Sequence, residues 1–130
     1  MKFIKLFIFL FFISNTFFYA QNSTRKFESI SKYNTHVEVK TSDGTYRFQP
    51  YGNEIIETSF IPKGETFNPT SHAVVLKMNP VDMEIIERSN LTEIKMLDIS
   101  VKIQHSPFQV SYYYEGNLLT SEKNGYSKND

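Results

Sequence analysis

Cysteine and tryptophan are both missing from this chain, and glycine and proline number only five each. Without a thiol there is no disulfide scaffold, no thiolate metal site, no cysteine nucleophile and no cysteine to carry a lipid. The chain also lacks an excess of charge of either sign: 14 Lys and Arg stand against 14 Asp and Glu. That balance excludes a strongly basic domain that would hold nucleic acid through its phosphates. Long uninterrupted apolar runs are missing too. The most hydrophobic stretch, residues 3–12, is interrupted by Lys5 and followed by Ser14, Asn15 and Thr16. A spanning helix needs about 20 predominantly apolar residues.

The first 20 residues instead fit an export signal. Lys2 and Lys5 give a short basic start, residues 6–13 an apolar middle, and Ala20 a small residue before the polar Gln21. This is the pattern of a secretory signal peptide cleaved after Ala20. The expected mature chain, residues 21–130, has 12 basic and 14 acidic side chains, a net charge of −2, and a secreted or periplasmic location. Its 110 residues allow at most one ordinary domain, with no membrane attachment once the signal is removed. With no disulfide, that domain depends on a packed core alone.

Beyond a polar, extended lead-in over residues 21–31, apolar residues recur with a period of two, the signature of β-strands. Val37, Val39 and Thr41 share one face, while His36, Glu38 and Lys40 share the other. Asp43-Gly44 is a strong hairpin signal. Taken as a two-residue type I′ loop, it pairs Thr41 with Tyr46 and Val39 with Phe48, and sets Lys40 against Arg47. Residues 54–61 form the next strand, with Ile56, Thr58 and Phe60 inward, and residues 62–65 a turn. Residues 73–78 read as a strand buried on both sides. Val81, Met83 and Ile85, then Thr92, Ile94 and Met96, then Leu97, Ile99, Val101 and Ile103 form further alternating sets. Phe108, Val110, Tyr112 and Tyr114 share a face before the turn at Glu115-Gly116-Asn117 and a last strand over residues 118–121. About eight short strands at this spacing predict an all-β antiparallel sandwich.

Catalytic equipment is sparse. His36, His72 and His105 are too far apart in sequence for a spacing-based metal motif. Asp82 and Glu84 point to one strand face as parallel, solvated neighbours. There is no glycine-rich phosphate loop and no nucleophile elbow, and no cofactor is expected. Asn22-Ser23-Thr24 and Asn90-Leu91-Thr92 match the N-glycosylation acceptor pattern. The densest aromatic feature is Tyr112-Tyr113-Tyr114, with Tyr113 facing away from the core side. Tyr51 and Tyr113 are the candidate carbohydrate contacts, because a phenol offers apolar ring area and a hydroxyl together.

Three ordered stretches carry a resemblance. Residues 37–51, VEVKTSDGTYRFQPY, continued by EIIETSFIP at 54–62, resemble the opening strands of glycoside hydrolase family 31, the α-glucosidase and α-xylosidase family. SPFQVSYYY at 106–114 is similar to that family's Pro-Phe and aromatic-strand segment, and LLTSEKNGY at 118–126 to the stretch after it. The resemblance runs from Phe27 to Tyr126. It implies an N-terminal β-sandwich of the galactose-mutarotase-like shape, incomplete at its C-terminus. It also implies a partner (β/α)₈ barrel, absent from this chain, that carries the catalytic aspartates and meets the carbohydrate. Val81-Asp82-Met83-Glu84 echoes the family's Trp-x-Asp-Met-Asn-Glu nucleophile motif in two letters only, so catalysis is not carried onto Asp82. The implied function is a non-catalytic portion of an exported glycosidase. The alternatives are a free-standing secreted carbohydrate-binding module and a structural or adhesion domain.

Overall fold

The computed structural model describes residues 24–70 and 80–123. The expected signal segment (1–20) and the expected strand at 73–78 lie outside them, as does His72. The described residues form nine antiparallel strands in two sheets. The first sheet holds β1 (Phe27–Lys32), β2 (Val37–Thr41), β3 (Gly44–Pro50) and β4 (Ile56–Pro62). The second holds β5 (Glu84–Arg88), β6 (Leu91–Lys95), β7 (Ile99–Gln104), β8 (Gln109–Tyr114) and β9 (Asn117–Lys123). In both sheets spatial order follows chain order, so each is a simple meander.

The period-two pattern explains the layering. Val37 and Val39 of β2 and Tyr46 and Phe48 of β3 are fully buried. Opposite them lie Ile94, Val101, Ile103 and Val110 of the second sheet, also fully buried, with Phe108 beside them. Strand side chains alternate between faces, so one face of each sheet becomes apolar, and burying the two faces against each other makes a sandwich. Direct contacts between side chains join the layers. The Tyr46 and Phe108 rings lie 5.5 Å apart, and the Tyr112 hydroxyl donates to Thr58 Oγ1 at 2.9 Å.

Three expectations need correction. First, the lead-in is not all lead-in: Phe27–Lys32 is a strand, paired with β2 and bulged between Phe27 and Ser29. Second, the β2–β3 register differs by two residues from the Asp43-Gly44 loop. Val39 pairs with Tyr46, Val37 with Phe48, Glu38 with Arg47 and Thr41 with Gly44, so Ser42-Asp43 is the loop. The shift is even, so every side chain keeps its face. The φ angles of Ser42, Asp43 and Gly44 are not positive, so the turn is not type I′. Gly44 is needed for space instead. A Cβ there would lie 2.4 Å from the Ile61 carbonyl oxygen and 2.6 Å from the Phe60 ring. Third, Leu97 does not begin a strand. It is exposed in the Leu97-Asp98 turn, closed by the Met96 N–H donating to the Ile99 carbonyl at 2.9 Å.

The hairpin that fits the type I′ description is β8–β9. Glu115 and Gly116, its two loop residues, have φ of 46° and 80°.

Candidate functional site

Arg25, just upstream of β1, explains the observed β2–β3 turn. Its side chain is fully buried, and Nε and Nη2 donate to the two Asp43 carboxylate oxygens at 2.7 Å each. Nη1 donates to the Tyr46 hydroxyl at 2.6 Å, and the guanidinium lies 4.3 Å from the Phe60 ring centroid. The single Thr41 hydroxyl proton is shared between Asp43 Oδ1 at 3.0 Å and the Gly44 carbonyl at 2.9 Å. Asp43 therefore sits at the loop tip because a buried cation holds it there. A planar guanidinium suits this bidentate geometry in a way an ammonium does not. The arrangement is structural: the charge is buried, paired through both guanidinium edges and stacked on an aromatic ring.

The outer face of the first sheet carries a second polar cluster. Glu38 of β2, Arg47 and Gln49 of β3, and Glu57 and Ser59 of β4 alternate away from the core. Arg47 Nη2 donates to Gln49 Oε1 at 2.8 Å, and the Arg47 guanidinium lies 4.5 Å from the Phe67 ring, which the segment after β4 brings over this face. Gln49 donates to the Thr35 carbonyl, tying β3 to the β1–β2 turn. His36 bridges Thr35 and Glu38 at 3.2 and 3.3 Å. Its proton affinity is held below the ordinary imidazole value, first by burial and then by the Arg47 charge, against an opposing pull from Glu38.

The candidate Tyr51 belongs to this cluster. It follows β3, and its hydroxyl donates to Glu57 Oε2 at 2.9 Å. Burial and that carboxylate raise the phenol above its usual value. Ser59 donates to the other Glu57 oxygen at 3.3 Å. Tyr113 lies elsewhere, on the outer face of the second sheet. It pairs with Ser100, and the Lys102 ammonium sits 4.3 Å from its ring centroid. The structure does not bring Tyr51 and Tyr113 together, since they occupy different sheets. Tyr112 and Tyr114 take the core-facing side, as the alternation requires. Three carboxylates, Glu54, Glu115 and Asp98, raise the Tyr114 phenol, with burial contributing after the first two.

Asp82 and Glu84 are both exposed at the start of the second sheet, in keeping with solvated neighbours. His105 stacks on Phe27 at 3.8 Å and shares a 2.9 Å hydrogen bond with Thr92, so it joins the two sheets. Burial lowers its pKa, while Glu87 and a bond with the Ser89 backbone work the other way. Asn90 is occupied: its amide donates to the Ser106 carbonyl and accepts from the Ser106 N–H, both at 3.0 Å. No group of three or more His, Asp or Glu side chains among the described residues is arranged to hold a metal ion.

The β1–β2 turn carries an exposed aromatic that the alternation of side chains does not mark. Tyr33 is 47% exposed there. It lines, with Lys32, Asn34, Pro80 and Val81, an open cleft of about 470 Å³. The signal that could have found it is an exposed aromatic beside an amide at a turn between two strands.

No known family pattern matches the chain, and no curated protein matches it. Solved structures do. An uncharacterized protein, lmo2446, from Listeria monocytogenes EGD-e is 15% identical with a TM-score of 0.57, over 75% of this chain and 10% of that one. The cycloalternan-forming enzyme from Listeria monocytogenes, solved with a pentasaccharide substrate, gives 15% and 0.57 over 75% of this chain and 9% of its own. A complex of lmo2446 with α-D-glucose, β-D-glucose, magnesium and calcium gives 15% and 0.56. This chain therefore has a fold also found in a carbohydrate-active enzyme, and spans about a tenth of the length of the proteins it matches.

Proposed function

We propose that this chain is the non-catalytic, N-terminal β-sandwich portion of an exported glycoside hydrolase of the family 31 kind, with the galactose-mutarotase-like shape. Residues 1–20 serve as its secretion signal and residues 21–130 as the sandwich, which packs against a catalytic barrel that lies outside residues 1–130. The observation that carries the reading is the likeness of three quarters of this chain to about a tenth of the cycloalternan-forming enzyme. Two further facts support it. The order of the family-like segments agrees along the chain from Phe27 to Tyr126. The carboxylates of the outer-face cluster are bound to internal partners: Glu57 accepts from Tyr51 and Ser59, and Glu38 bonds to His36. A glycosidase needs two carboxyl groups free to flank the scissile bond, with one of them holding a proton.

The test is hydrolysis of an aryl α-glucoside by the purified chain. The expected result is release no faster than the blank. Turnover that survives repurification and follows the protein through a sizing column contradicts the proposal.

A further inference from the structure

The cleft at the β1–β2 turn has features of a built binding surface. Tyr33 stacks on His36 with centroids 4.5 Å apart and planes 10° from parallel. The Tyr33 N–H donates to the His36 carbonyl at 2.9 Å, closing the turn beneath the two rings. His36 is itself fixed by Thr35 and Glu38. The exposed phenol is therefore backed on one face and held in place before any ligand arrives, which lowers the entropy lost on binding. The opposite wall is fixed as well. Lys32 Nζ donates to the Met83 carbonyl, tying the turn to the segment that carries Pro80 and Val81. The volume of about 470 Å³ lies within the range of roughly 300–1,000 Å³ typical of small-ligand sites.

The lining selects a chemical class. Tyr33 offers a flat ring, and Pro80 and Val81 an apolar wall. Asn34 presents both a donor and an acceptor, which matches adjacent hydroxyls. Among the described residues that line the cleft there is no carboxylate and no guanidinium, and the Lys32 ammonium already serves the Met83 carbonyl. A neutral ligand with an apolar C–H face and a hydroxylated rim suits this surface, and a pyranose ring is such a ligand.

We propose that the Tyr33 cleft is a sugar-binding surface, in which Tyr33 stacks on a hexopyranose unit of an oligosaccharide and Asn34 bonds its hydroxyls. The choice of an α-glucan as probe rests on the glycosidase reading above. The cleft is distinct from Tyr51 and Tyr113.

The experiment is an amide-resolved NMR titration of the chain with maltotetraose, using Tyr33→Leu, Tyr33→Phe and Asn34→Ala variants. Saturable shifts in the millimolar range, centred on residues 32–34 and 81, are expected. Tyr33→Leu should weaken binding about tenfold, while Tyr33→Phe keeps it within about twofold. Asn34→Ala, at an exposed turn, should also weaken binding, and it serves as the test if Tyr33→Leu fails to fold. No saturable shift overturns the proposal, as do shifts centred on Tyr51 or Tyr113, or shifts that Tyr33→Leu leaves unchanged. Any of these results would leave the glycosidase reading standing, because that reading fails on aryl α-glucoside turnover instead.

Discussion

Replacing Arg25 with alanine should cost more stability than its place in a polar lead-in suggests. The side chain is fully buried and satisfies three acceptor contacts, two to Asp43 at 2.7 Å and one to Tyr46 at 2.6 Å. It also lies over the Phe60 ring. Removing one member of a buried pair costs about 3–5 kcal/mol, because the other charge is left without compensation. Here Asp43 keeps 28% of its side-chain exposure, so water recovers part of that loss, and the lower end of the range, about 3 kcal/mol, applies. For a domain of this size each kcal/mol shifts Tm by roughly 4–8 °C, so Tm should fall by about 12 °C or more. Urea unfolding followed by far-ultraviolet circular dichroism measures the change. Arg25→Met restores apolar volume beside Phe60 but still strands Asp43, so it should recover only part of the loss. A cycle with Asp43→Ala then isolates the coupling between the two groups. A loss below about 1 kcal/mol in Arg25→Ala would refute the reasoning, since it would place the pair in the range of solvated surface bridges.

Gly44→Ala should destabilise by about 2–3 kcal/mol, because the nearest obstacle to its Cβ is the Ile61 carbonyl oxygen at 2.4 Å, which is backbone and cannot swing aside. A urea midpoint within error of the parent chain would contradict this. Stability should also decline on acidification. Burial holds both His36 and His105 below the ordinary value of 6.5, so as pH falls through that value the unfolded chain takes up protons first. Their contribution is fully present above 6.5 and is lost as pH drops through the lower folded-state values. Urea midpoints at about pH 7.5 and about pH 5.5 measure it, and His105→Phe should flatten part of the slope. A midpoint that rises on acidification would contradict the assignment.

Much of the fold is legible in the alternation of side chains. Val37, Val39, Tyr46, Phe48, Ile94, Val101, Ile103 and Val110 all face the core, as their spacing requires. Pairing register is less legible, because a shift of two residues leaves every face unchanged. What selects the observed β2–β3 register is Arg25 binding Asp43 across 18 positions, together with the crowding that only glycine tolerates at position 44. Neither is a local signal. Asp43-Gly44 has the dipeptide of a type I′ turn, yet here the aspartate is a salt-bridge partner and the glycine a strand residue under an aromatic ring. Leu97 continues an apolar alternation in sequence but lies in a tight turn, because Met96 and Ile99 close the backbone around it. At the surface, Tyr113 was legible as outward-facing from alternation alone. Tyr33 was not, because its setting depends on a turn that brings His36 beneath it and on Lys32 reaching Met83, 51 residues away.

The central claim is that this sandwich serves a catalytic domain that lies outside residues 1–130. Its most direct test is the genomic sequence beyond the codon for Asp130. The account predicts coding sequence there for a (β/α)₈ barrel with a Trp-x-Asp-Met-Asn-Glu motif. An unrelated neighbouring gene, with no barrel encoded nearby, would contradict it.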